Sequence, residues 1–197
     1  GEELGKGFNI NIPLPVNTDD EAFEWAFEQV ITPAMEVFNP TVIVAVVGAD
    51  THKSDPLANL KLTNQSMANV MKKVRTFSQH LLMLGGGGYD VRATSRAWCR
   101  MWASINGVES TPDYLLMMGG AFIGADDFRS DDIGDMVYRV SGEDKKKIMT
   151  AIERVIEFHE ENTLPINIRH LQPDFRSGLH LAYKNRQRTN LQFWRIP

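Results

Sequence analysis

Apolar residues fall into two rhythms along this chain. Val42-Ile43-Val44-Ala45-Val46-Val47 and Leu81-Leu82-Met83-Leu84 are short, unbroken apolar runs, the pattern of strands covered on both faces in a parallel sheet. Phe8 to Leu14 alternates apolar and polar residues up to Pro13, which predicts a further strand. Between these runs the spacing becomes helical. Asp19 and Asp20 stand where a helix would be capped, and Phe23, Phe27, Val30, Ile31 and Ala34 follow at helical intervals, with Pro33 expected to kink or end the segment. Asn39-Pro40 marks the turn into the Val42–Val47 strand. Thr63 or Asn64 can cap a second helix carrying Met67, Val70, Met71, Val74 and Phe77, ahead of a strand at His80–Leu84.

The order so far is βαβαβ. Arg92 to Ile105 predicts another helix, with Ala93, Ala97 and Met101 on one line and Trp98, Trp102 and Ile105 beside it as core residues. A last helix begins at Ser141, where Asp144 completes a capping-box-like pattern, and runs through Ile148, Ile152, Val155 and Ile156 towards Glu161. Residues 107–140 read as long surface loops. The expected fold class is α/β: a three-layer, mainly parallel sheet with helices on both faces.

Composition narrows the setting. The 197 residues are 43% hydrophobic and 23% charged, enough for one sizeable core. The single cysteine, Cys99, excludes an internal disulfide and a multi-cysteine metal site and fits a reducing cytoplasm, the expected location. No apolar run approaches a membrane span of ~20 residues. From Pro165 the sequence carries Arg169, Arg176, Lys184, Arg186, Arg188 and Arg195 against Asp174 alone, although the whole chain has a net charge of −4. The expected division is therefore 1–164, the α/β portion, and 165–197, a basic irregular tail without sustained period. Such a tail is more simply solvated or packed on acidic surface than bound to nucleic acid.

Chemistry concentrates at two strand ends. Gly85-Gly86-Gly87-Gly88-Tyr89 follows the Leu81–Leu84 run, and four glycines in succession weaken a fold unless something must approach their backbone closely. Gly48-Ala49-Asp50 likewise follows Val47 and delivers a carboxylate. Ligands of open parallel sheets bind outside the carboxyl ends of the strands, so Asp50 and Tyr89 are expected to share one pocket.

These motifs carry a resemblance. Gly48-Ala49-Asp50 with Asp55-Pro56-Leu57, Leu60-Lys61-Leu62-Thr63, Leu-Met-Leu-Gly-Gly-Gly-Gly-Tyr ending at Tyr89, and Arg96-Ala97-Trp98 resemble the histone deacetylase family, nearest its bacterial acetoin-utilisation and acetylpolyamine-amidohydrolase members. Gly5-Lys6-Gly7-Phe8-Asn9-Ile10-Asn11-Ile12-Pro13-Leu14 is similar to that family's glycine-rich approach to a strand. The resemblance covers about residues 1–105 and implies part of the arginase/deacetylase fold. It further implies a zinc-dependent hydrolase that removes acetyl groups from acetylated lysine or polyamines. Asp50 would be a zinc ligand, Tyr89 the hydroxyl that steadies the acetyl oxyanion, and Gly87 and Gly88 the lining of the acyl channel.

The family's other aspartate and histidine ligands, on an Asp-x-His motif, and its His-His base come from earlier segments than those matched here. On this resemblance the chain corresponds to the C-terminal half, and alone it is expected to bind zinc weakly and to be inactive. Asp50-Thr51-His52 spells Asp-x-His, but the resemblance makes His52 an ordinary loop residue. His80 opens a strand, His159 reads as part of a solvated helix face, and His170 and His180 belong to the tail. Two function classes follow: a zinc-dependent deacetylase completed by an N-terminal half, acting on an acetylated amine, or a non-catalytic remnant that self-associates. A homo-oligomer is expected in either case, with neither membrane nor nucleic acid as partner.

Overall fold

The structure is a computed structural model and describes residues 3–108 and 134–171. After a 3-10 turn at Glu3–Gly5, helix α1 spans Asp20–Ala26, capped by the Asp19 carboxylate, which accepts the Ala22 N–H at 3.1 Å. Pro33 does not end this helix. The backbone widens into a π turn over Phe27–Ile31 and resumes as α2, Thr32–Phe38, with Pro33 in its first turn. Proline lacks an N–H and its ring presses on the carbonyl four residues back, so a wider turn just upstream accommodates it. Asn39, with φ 49°, then closes α2 in the left-handed conformation.

Strand β1 is Val42–Val47, α3 is Asn64–Phe77, β2 is His80–Gly85 and α4 is Val91–Ile105. The strands pair in parallel from Val42 opposite His80 to Val47 opposite Gly85, with α3 as the crossover. After residues 134–140, which adopt no regular element, come α5 at Gly142–Asn162 and α6 at Leu164–Leu171. Helix α6 occupies the start of the segment expected to be an irregular arm. The rest of that tail, and most of the expected 107–140 loops, lie outside the described residues.

Two apolar clusters organise these elements. In one, Ala22, Ala26 and Val30 meet Ile148, Ile152 and Ile156 of α5. In the other, Ala49, Leu62, Met67, Met71, Ala97 and Met101 pack beneath Ala45, Val47, Leu81 and Met83 of the sheet. Polar bonds join the clusters. Buried Asp20 accepts the Thr63 N–H and hydroxyl, both at 2.7 Å, and the Ser66 hydroxyl at 2.6 Å, so a residue of α1 also caps α3. Asp19 takes the Val140 N–H at 2.9 Å and the Lys145 ammonium at 2.8 Å, anchoring α5.

The fold is α/β, with a parallel sheet and packed helices, and four local expectations change. Residues 8–14 adopt no regular element and pair with no strand among the described residues, so βαβαβ loses its first member there. Pro13 offers no donor to a ladder, and the alternation serves packing instead, as Ile10, Ile12 and Leu14 lie against the α1–α5 cluster. Trp102 is 56% exposed rather than core, whereas Trp98 lies beneath the sheet and donates its indole N–H to the Val47 carbonyl at 3.0 Å. His159 is buried, not solvated, with its ring nitrogens 2.9 Å from the Thr163 hydroxyl and 2.8 Å from the Asn11 carbonyl. Among the described residues nothing covers the other side of the sheet, where Val42, Val44, Val46, Leu82 and Leu84 are between 43% and 67% exposed.

Candidate active site

Because β1 and β2 run parallel and in register, the loops leaving Val47 and Gly85 emerge side by side at one edge. They are stitched at once, with the Ala49 N–H donating to the Gly87 carbonyl at 2.5 Å. The glycines permit this approach. A Cβ on Gly86 would stand 2.8 Å from the Gly48 nitrogen, and one on Gly87 would stand 2.2 Å from Asp50 Oδ2. Where a side chain on Gly88 would project, Thr94 Oγ1 lies at 2.5 Å, so α4 seats against the loop there. Asp50 is half-buried beside Gly48 and Gly87, and Tyr89 is 57% exposed. The structure thus brings the Asp50 and Tyr89 loops together as expected from the strand ends.

Three carboxylates to which the sequence analysis assigns no site role hold this arrangement. Asp55 Oδ2 accepts the Tyr89 N–H at 2.8 Å, while its Oδ1 accepts the N–H groups of Leu57 at 2.8 Å and Ala58 at 3.1 Å. Burial opposes its ionisation, but these N–H bonds outweigh it and hold the carboxyl below the usual range. Asp90 accepts the Ser54 hydroxyl at 2.6 Å and caps α4 through the N–H groups of Arg92 and Ala93, both at 3.1 Å. The Ser54 bond first, and then the helix N–H groups, lower its pKa.

Asp135, the third, comes from the distant segment before α5. It lies 2.7 Å from His52 Nε2, accepts the Asn64 N–H at 3.0 Å and pairs with Arg96 at 2.9 Å. Burial would raise its pKa, but the hydrogen bonds from His52 and Asn64 and the attraction of His52 and Arg96 bring it down to about 2. His52 is therefore no ordinary loop residue. It is 4% exposed, with Nδ1 2.9 Å from Ser54 Oγ and Nε2 on Asp135, so both ring nitrogens are engaged within the protein. Asp90 had a local signal, an aspartate just ahead of a helical run. Asp135 had none, being 83 positions from His52.

The donor set tests whether zinc fits. Catalytic zinc takes three protein ligands and keeps a fourth position open. Among the described residues, no group of three or more His, Cys, Asp and Glu side chains converges to hold a metal. Asp50 offers one carboxylate, so these residues do not by themselves make the zinc site that the resemblance implies.

Comparison with known proteins bears on the same region. The histone deacetylase domain model matches residues 1–105. Histone deacetylase 6 of Arabidopsis thaliana is 38% identical over 116 residues, covering 59% of this chain and 24% of the relative. Probable histone deacetylase 1-B of Xenopus laevis is 40% identical over 98 residues, covering 50% of this chain and 20% of that protein. The crystal structure of an HDAC homolog complexed with SAHA superposes with a TM-score of 0.61 at 28% identity, over 79% of this chain and 44% of its own. That of an HDAC homolog from Aquifex aeolicus gives 0.60 with the same identity and coverage. The chain thus spans less than a quarter of these curated relatives and under half of the solved ones. Both strands, the Asp50 turn and the glycine loop with Tyr89 fall within the matched 105 residues, and this chain belongs to the histone deacetylase family.

Proposed function

We propose that this chain contributes the Asp50 and Tyr89 side of a zinc-dependent deacetylase site and is inactive until the rest of the domain joins it. The observation that carries this reading is the adjacency of the Asp50 and Tyr89 loops at the carboxyl edge of the β1–β2 pair. The reaction is hydrolysis of an acetylated amine. Water adds to the acetyl carbonyl, the C–N bond breaks, the amine leaves with a proton and acetate remains. As the carbonyl oxygen becomes an oxyanion, a tyrosine hydroxyl beside it strengthens its hydrogen bond, and this is the role given to Tyr89. Gly87 and Gly88 are assigned to line the acyl channel with their backbone, since the space each Cβ would take is filled by Asp50 and Thr94. Asp50 is the one metal ligand assigned to this chain. The resemblance implies that the remaining ligands and the base come from parts of the domain that this chain, which covers 44% of the solved relative, does not match.

The exposed sheet face is where that remainder would seat. Apolar strand faces and open strand edges of this kind are seldom left to solvent. The same face supports a second reading, in which another copy of the chain covers it and the assembly has no deacetylase chemistry.

One comparison separates the two readings: acetate release from an acetyl-lysine peptide and from an acetylated polyamine, by the chain alone and after assembly with the missing part of a deacetylase domain. The first reading expects release only from the assembly. Acetate release by the chain alone at the assembled rate would contradict it. A stable dimer in sedimentation that persists in the presence of the complementing part, without acetate release, would favour the second reading.

A further inference from the structure

We infer that Asp55 is a positioning residue for Tyr89, an inference that rests on the catalytic role proposed above for that tyrosine. Tyr89 follows four glycines, and the residue before it, Gly88, has φ +151°, so its own chain does little to fix where the phenol stands. External bonds must do so. The loop around Asp50 supplies them at three points, to three successive targets: Ala49 to Gly87, Asp55 to Tyr89 itself, and Ser54 to Asp90.

Among these, Asp55 has the geometry to act directly. Its two oxygens divide the work, Oδ1 closing its own turn onto Leu57 and Ala58 and Oδ2 reserved for the Tyr89 N–H. Asp55 is 8% exposed, so water competes little for that bond. Ser54 braces the next residue along, and its hydroxyl is backed by His52; Asp135 pins that ring and is itself held by the Asn64 N–H and Arg96. The loop that carries the Asp50 carboxylate therefore also sets the position of the hydroxyl donor, and the two sides of the site keep a fixed spacing.

The informative variant is Asp55→Asn, because an amide offers one oxygen where the carboxylate offers two. It can close the turn or accept from Tyr89, but not both. In the chain alone, hydrogen exchange at the Tyr89 amide is expected to quicken by about tenfold, the scale of one lost bond to a charged acceptor, while exchange in β1 and α3 is unchanged. In the assembled enzyme, kcat is expected to fall by about tenfold with KM unchanged. In a Tyr89→Phe background the same substitution should cost no further turnover, since residues acting through one group are not additive.

An additive loss in that background would overturn the inference, as would unchanged exchange at Tyr89 or unchanged kcat. If Asp55→Asn fails to fold, Ser54→Ala removes the neighbouring brace without touching the turn. It is expected to loosen the same amide, with Ser54→Thr restoring it; a Thr variant as loose as Ala would count against the inference. The catalytic reading fails separately, by undiminished turnover in Tyr89→Phe alone, whatever the exchange at that amide shows.

Discussion

Tyr89→Phe is expected to lower turnover of the assembled enzyme by about two to three orders of magnitude, the usual scale for removing one oxyanion donor. Folding should be spared. The ring is more than half exposed, and the bond that places the residue is made by its backbone N–H, which phenylalanine keeps. A thermal melt and a zinc titration of the variant should therefore match the parent, with the loss confined to kcat. Turnover equal to the parent's would remove Tyr89 from the chemistry.

Gly87→Ala should act on the other side of the site. Its methyl carbon would fall 2.2 Å from Asp50 Oδ2 and 2.8 Å from its Cγ, closer than atoms tolerate. The cheapest response is for the Asp50 carboxylate to swing away, since it is the mobile end of a side chain. The protein should stay folded while zinc affinity of the assembled enzyme drops by about 10- to 100-fold, the range for disturbing groups that orient a ligand. Gly86→Ala provides the contrast. There the methyl meets the Gly48 nitrogen and Cα, at 2.8 and 2.9 Å, and backbone has no rotamer to yield. Its expected signature is lost stability, roughly 1 to 3 kcal/mol by the scale of overpacking. Equal zinc affinity in Gly87→Ala and the parent would show that Asp50 does not need the space the glycine leaves.

The parts of this arrangement legible in the sequence were those whose cause is local. Unbroken apolar runs at Val42–Val47 and Leu81–Leu84 mark strands through their own residues, although one face of each stays exposed, and the glycines after Leu84 mark a close approach whatever the approaching partner is. The cap at Asp19 and the helices through Met67 and Ile148 are equally local. What escaped was relational. Residues 8–14 have the alternation of a strand, yet being a strand depends on a neighbour to pair with, and here the alternation is spent on a helix-lined core. His159 has glutamates beside it in sequence and so looked solvated, but α5 turns its ring to the Asn11 carbonyl. His52 reads as an ordinary loop residue and Asp55 as one member of a motif because their partners, Asp135 and Tyr89, lie 83 and 34 positions away. Only the fold brings those pairs together, and they are the pairs that brace the candidate site.

Zinc binding measured by titration on the chain alone and on the assembled enzyme tests the central claim most directly. With Asp50 as the one ligand from this chain, the chain alone should bind weakly and well below one equivalent, while the assembly binds one equivalent tightly and loses it with Asp50→Ala. Tight one-to-one binding by the chain alone, abolished by His52→Ala, would contradict the account, because it would free His52 from Asp135 and Ser54 and make a complete metal site from residues that here hold the loop in place.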